Sequence, residues 1–160
     1  MGKWKVRNVS LNVIEQGAGP PLLLVHGFPL DHSMWQAQIE ELSRDARIMA
    51  PDLRGFGESD GGGEVVLMED LADDLAALLD LLGVAEPVVF CGLSMGGYIA
   101  WQFFLRHRAR LRALILCDTR AAADAPAAAE ARLTNAKRVL EDGVGFLAEG
   151  MLDKLFAAET

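Results

Sequence analysis

The stretch Val88-Val89-Phe90-Cys91-Gly92-Leu93-Ser94-Met95-Gly96-Gly97 constrains this chain more than any other. Its apolar start reads as a buried strand, its glycine-flanked serine as a sharp turn, and Tyr98-Ile99-Ala100-Trp101 as the opening of a helix. Gly92 and Gly96 stand two residues either side of Ser94, where a tight strand-to-helix turn leaves no room for a side chain. A serine on such a turn is exposed. At the carboxyl end of a parallel strand it faces the edge where open α/β sheets bind ligands, with helix-terminal N–H groups beside it. Those are the surroundings of an acyl-transfer nucleophile.

The rest of the chain supplies a matching frame. Trp4 to Arg7 and Ser10 to Glu15 read as a strand pair closed by Gly17-Ala18-Gly19-Pro20. Pro21-Leu22-Leu23-Leu24-Val25 is a continuous apolar run, the pattern of a strand buried on both faces. After His26-Gly27-Phe28-Pro29 the chain turns helical from Ser33, with Trp35, Ile39 and Leu42 at helical spacing, and Ile48-Met49-Ala50 is the next strand. Pro51 to Ser59 is rich in turn residues and leads to a flexible Gly61-Gly62-Gly63 insertion. Leu67, Leu71, Leu75, Leu78, Leu79 and Leu82 line one helix face that Gly83 terminates, and Glu69, Asp70, Asp73 and Asp74 are expected on a solvated face. Leu111 to Cys117 is another buried-type strand. From Ala121 the chain is alanine-rich, with Pro126 placed to start a helix and a second helix following a break near Gly143 that carries Leu147, Met151, Leu155 and Phe156. Strands alternating with helices in this rhythm predict a parallel sheet with right-handed crossovers.

Composition narrows the class. A chain of 160 residues that is 51% hydrophobic and 24% charged is a globular domain at most one domain in size. The formal charge of −8, with no basic cluster, argues against nucleic acid or an anionic membrane as partner. No apolar stretch is long enough for a membrane span, and the N-terminus lacks a signal sequence. Cys91 and Cys117 lie in apolar strands, which predicts reduced buried thiols, a cytoplasmic setting and no metal site.

Three stretches now stand in order, each after a strand: His26-Gly27-Phe28-Pro29, Asp52-Leu53-Arg54-Gly55-Phe56-Gly57-Glu58-Ser59, and Gly92-Leu93-Ser94-Met95-Gly96-Gly97. Together they resemble the α/β-hydrolase superfamily, over residues 1–120. His26 through Trp35 with the Ser94 turn is similar to the branch containing 3-oxoadipate enol-lactonase, small carboxylesterases and cofactor-free haloperoxidases. The resemblance implies a mostly parallel sheet with helices on both faces, residues 1–120 as the N-terminal part of the core and 121–160 as the start of a helical cap. It implies Ser94 as nucleophile and the backbone N–H groups of Phe28 and Met95 as an oxyanion hole, with ester or lactone substrates and no cofactor or metal. Two preorganised donors are what a tetrahedral intermediate demands, each worth about 3 kcal/mol of barrier. Leu30 and Trp35 are candidates for an acyl pocket, though either could be core. His26 is expected to be structural, His32 a surface residue, and the Asp52–Ser59 loop an ion-pair network.

The chain departs from the family pattern after Ser94. In this fold the acid and then the histidine follow the nucleophile. Asp118, at the end of a strand, is a possible acid, but no histidine follows His107, which lies about 20 Å along the helix from Ser94 at 1.5 Å per residue. A serine hydroxyl needs a base. Two readings stay open: the N-terminal part of a longer hydrolase lacking about a hundred residues at roughly 30 per strand–helix unit, or a non-catalytic binding derivative. In both, the Leu111–Cys117 edge predicts association, with a C-terminal remainder or with a second copy of the chain.

Overall fold

The computed structural model describes residues 2–61, 63 and 65–155. Gly62 of the glycine insertion and Phe156, expected in the second cap helix, lie outside them. The chain forms two compact units that divide between Ala121 and Ala122.

The first unit is a sheet of six strands: β1 (Gly2–Val6), β2 (Val9–Gln16), β3 (Pro21–Val25), β4 (Arg47–Pro51), β5 (Val88–Leu93) and β6 (Leu111–Cys117), in the spatial order β1-β2-β4-β3-β5-β6. β1 and β2 form an antiparallel hairpin, and β2 pairs antiparallel with β4. β4, β3, β5 and β6 are parallel. Side-chain alternation along these strands divides the core in two. Leu23, Val25, Met49 and Phe90 face the helices α1 (Met68–Leu81) and α2 (Met95–Arg106), packing on Leu75, Leu79, Ile99 and Phe103. Leu24, Ile48, Ala50 and Cys91 face the other way, toward Trp35 and Ile39 at a 3₁₀ turn (His32–Trp35) and a short helix (Gln36–Leu42). Each fully buried leucine or phenylalanine contributes about 1.5–3 kcal/mol, so this two-sided core carries the unit. Helices therefore cover both faces, as the apolar runs of β3 and β5 require.

The second unit holds two helices, Pro126–Asp142 and Gly145–Leu155. Pro126 opens the first, where its missing N–H costs nothing, and Gly143 ends it at a φ of 78°. No helix among the described residues is long and apolar enough to cross a membrane.

Two expectations need correction. Asp74 is not on a solvated face: it is 1% exposed and receives Arg54 Nε at 2.5 Å, Arg54 Nη2 at 2.7 Å and Arg7 Nη1 at 3.1 Å. Burial of a carboxylate is tolerated only with such pairing. His32 is not a free surface residue either, because its ring Nδ1 lies 2.6 Å from Asp52 Oδ1. The Leu111–Cys117 strand, β6, lies at the sheet edge as expected, with Ile115 and Leu116 exposed. The thiols are free as expected, with Cys91 and Cys117 sulfurs 4.0 Å apart, and burial pushes Cys91 up to about 12.

Candidate active site

β5 delivers Leu93, and the next residue turns the chain straight into α2. Ser94 sits there at φ 49°, ψ −107°, a region that a residue with a side chain enters only at a cost of order 1–3 kcal/mol. The surroundings hold it in that geometry. A Cβ at Gly92 would overlap the Gly96 carbonyl, and one at Gly96 would overlap the Val25 carbonyl at the end of β3, so both positions must stay bare. The Ser94 N–H donates to the Cys117 carbonyl at 2.9 Å, tying the turn to the end of β6. The residue remains half-buried.

The loop after β3 packs against this turn. A Cβ on Gly27 would come 3.4 Å from the Ser94 Cβ and 3.2 Å from the Leu93 carbonyl, so the backbone leading to Phe28 lies against the serine. Met95 is the first residue of α2, so its N–H has no partner within the helix. Among the described residues, no acceptor takes the N–H of Phe28 or of Met95. Two backbone donors without an acceptor thus lie next along the chain from Gly27, which packs against the Ser94 side chain, and from the strained Ser94 itself. The helix dipole of α2 adds partial positive charge at the same end.

A second loop braces the first. His26 is fully buried; its Nε2 accepts the Leu53 N–H at 3.0 Å and its Nδ1 lies 3.0 Å from the Gly27 carbonyl. Its ring packs edge-on against Phe56, 5.3 Å between centroids, and Phe56 in turn meets Phe28 at 6.0 Å. Asp52 is the hub of the brace. It accepts the His32 N–H at 2.8 Å, the His32 ring, Asn12 Nδ2 at 2.9 Å and the Glu58 N–H at 3.0 Å. Burial raises the Asp52 carboxyl, but these bonds outweigh it and hold the group below the ordinary carboxylate range. Asp31, His32 and Asp52 bring possible ligand atoms within 4.8 Å of one another. With both Asp52 oxygens engaged and Asp31 accepting the Ser33 N–H, hydrogen bonding accounts for that cluster.

Burial drives the His26 pKa below its ordinary 6.5, against the opposing pull of the Gly27 carbonyl. Folded His26 therefore takes up its proton at lower pH than the unfolded chain, where it titrates near 6.5. Below that pH the unfolded state binds more protons, so stability should fall as pH drops from 7 toward 5. Urea unfolding across that range checks this, and a His26→Gln variant should flatten the slope. An unchanged slope in the variant would contradict it.

The remaining sequence-nominated residues divide. Leu30 is half-buried on the Phe28 loop, its N–H bonded to the Gly27 carbonyl at 2.9 Å. Trp35 is 7% exposed and belongs to the core against Ile39 and Ile48. Asp118 is exposed at the end of β6, at φ 41°. His107 is committed to Asp73, Nε2 to Oδ1 at 2.8 Å, on the far end of α2. Sequence reasoning missed Thr119, whose Oγ1 donates to the Ser94 carbonyl at 2.8 Å; nothing in its spacing announces that.

Comparison with known proteins agrees with this fold. The solved structure of a thermophilic esterase from Thermogutta terrifontis superposes with a TM-score of 0.91 at 49% identity, covering 94% of this chain and 58% of that one. An enol-lactonase from Burkholderia xenovorans LB400 superposes at 0.90 with 30% identity, covering 99% of this chain and 61% of that one. In sequence, the chain is 40% identical over 101 residues to the AB hydrolase superfamily protein YisY of Bacillus subtilis, spanning 62% of this chain and 37% of that protein. Bifunctional epoxide hydrolase 2 of Sus scrofa is 35% identical over 114 residues, 69% of this chain and 20% of its own length. The chain thus spans less than two thirds of the length of each of these relatives. The family model for the alpha/beta hydrolase fold matches residues 20–153, from the start of β3 to the last helix. That match covers the four parallel strands, both loops and the serine turn together, and the chain belongs to the alpha/beta hydrolase fold family.

Proposed function

We propose that this protein is a serine hydrolase that cleaves a carboxylic ester or lactone through an acyl-enzyme on Ser94. The observation that carries the reading is the strained Ser94 between two unpaired backbone donors, with Gly27 against its Cβ. In the first step Ser94 Oγ attacks the substrate carbonyl carbon as its proton passes to a base. The carbonyl oxygen becomes the oxyanion, which the N–H groups of Phe28 and Met95 receive. Collapse expels the alcohol, which takes the proton. Water then attacks the acyl-serine, and the same base and donors serve the reverse sequence.

The nucleophile's identity decides between the chemistries of the relatives. A carboxylate that opens an epoxide forms an ester, which water can hydrolyse at its carbonyl. A serine opening the same ring would form an ether, with no carbonyl for water to attack. Ser94 therefore favours acyl transfer over epoxide opening.

The base is the remaining part. His26 has both nitrogens engaged, His32 is bound to Asp52 and His107 to Asp73. We assign the base to the part of the hydrolase beyond these residues, with Asp118 the candidate acid within them. The exposed Ile115 and Leu116 on the β6 edge fit a further strand from that remainder, or failing that a second copy of the chain.

The acyl-enzyme can be tested by partitioning. Two esters with the same acyl group and different alcohols should divide identically between water and added hydroxylamine, since both pass through one intermediate. Ratios that follow the leaving group would contradict the mechanism.

A further inference from the structure

The nucleophile's peptide unit has two ends, and the proposed mechanism uses only one. The bond between Ser94 and Met95 is planar, so the Ser94 carbonyl and the Met95 N–H point in opposite directions from one rigid plate. Whatever fixes the carbonyl therefore aims the N–H. On the Ser94 side, φ 49° and ψ −107° lie far from the helical well, and the helix itself holds the plate only from one side. The Gly97 N–H reaches the Ser94 carbonyl at 2.9 Å and the Tyr98 N–H only at 3.4 Å.

Thr119 supplies the missing hold. Its Oγ1 donates to the Ser94 carbonyl at 2.8 Å, from the turn after β6. The side chain is half-buried and wedged against Gly97, where a Cβ would overlap it. Two residues earlier, the Cys117 carbonyl accepts the Ser94 N–H. The end of β6 therefore clasps both backbone polar groups of the serine.

We propose that Thr119 is a positioning residue for the oxyanion hole: its hydroxyl anchors the Ser94 carbonyl and so aims the Met95 N–H at the developing negative charge. A hydrogen bond to a carbonyl also polarises the amide to which it belongs and makes the attached N–H a better donor. The inference rests on Ser94 being the nucleophile. It touches no substrate.

The test compares Thr119→Val, which keeps the shape and removes the donor, with Thr119→Ser, which keeps the donor. In the full-length protein, Thr119→Val should slow fluorophosphonate labelling of Ser94 and lower kcat by roughly 3- to 10-fold, as for loss of one hydrogen bond. KM should stay within twofold, and Thr119→Ser should recover most of the rate. An independent readout comes from protein with ¹³C at serine carbonyls and ¹⁵N at methionines. Within residues 1–160, the Ser33–Met34 and Ser94–Met95 peptides are the two that give a paired signal in it. Thr119→Val should move the second and leave the first.

A labelling rate within twofold of the unmodified protein, an unmoved Ser94–Met95 signal, or a Thr119→Ser variant as slow as Thr119→Val would each overturn the positioning role while leaving Ser94 as nucleophile. Failure of the unmodified protein to label at all would instead overturn the reading of Ser94, and the inference with it.

Discussion

Replacing Ser94 by alanine should lower kcat/KM for ester hydrolysis by about 10⁴- to 10⁶-fold, the loss typical of removing a serine nucleophile. The hydroxyl is the attacking atom, and no neighbouring group can take over. The N–H groups of Phe28 and Met95 belong to the main chain and survive the substitution, so a residual rate above that in water should persist. Folding should be little changed. Alanine suffers the same penalty at φ 49° as serine, and the two bonds from Ser94 to Cys117 and Thr119 are made by its backbone. Thermal unfolding within a degree or two of the unmodified protein, measured beside the kinetics, separates chemical loss from collapse. A variant that retained a tenth of the activity would remove Ser94 from the mechanism.

The second large effect is on stability. Asp74→Ala should cost about 3–5 kcal/mol, because it strands the Arg54 guanidinium, itself 6% exposed, without its carboxylate. Arg54 ties the Asp52–Ser59 loop to α1, and it also reaches Asn8 Oδ1 at 3.1 Å, so the loss would loosen the hairpin turn as well. Asp73, the next residue back, is the control. The Arg106 guanidinium beside it holds its carboxyl at about 2, yet the pair lies at the surface, and Asp73→Ala should cost no more than about 1 kcal/mol. Urea unfolding of both variants compares the two. The double replacement Asp74→Leu with Arg54→Met should recover much of the loss, since apolar pairs of similar size often replace buried ion pairs without penalty. A cost for Asp74→Ala near that of Asp73→Ala would mean that the buried network does not bear on stability.

The contrast between these two aspartates shows where the sequence was legible. Apolar runs at Pro21–Val25 and Val88–Leu93 announced parallel strands because burial on both faces leaves no polar positions. The serine turn was legible because its glycines are forced by backbone contacts, which the sequence records directly. Asp74 was read by its charge. It stands three residues after Leu71 and four before Leu78, on the same helical stripe, and that spacing was the available signal. His32 and Thr119 carried no such mark. Their roles depend on Asp52 and Ser94, which are distant in sequence and meet them only in the fold. The β6 run was legible both as a strand and as an edge, since no further strand-like run follows it in the sequence to pair with it.

The most direct test of the account is the intact mass of the full-length protein after reaction with a fluorophosphonate, followed by peptide mapping. The account predicts one adduct per active chain, on Ser94, and none in the Ser94→Ala variant. A folded protein left unmodified, or one modified at another residue, would contradict Ser94 as the nucleophile.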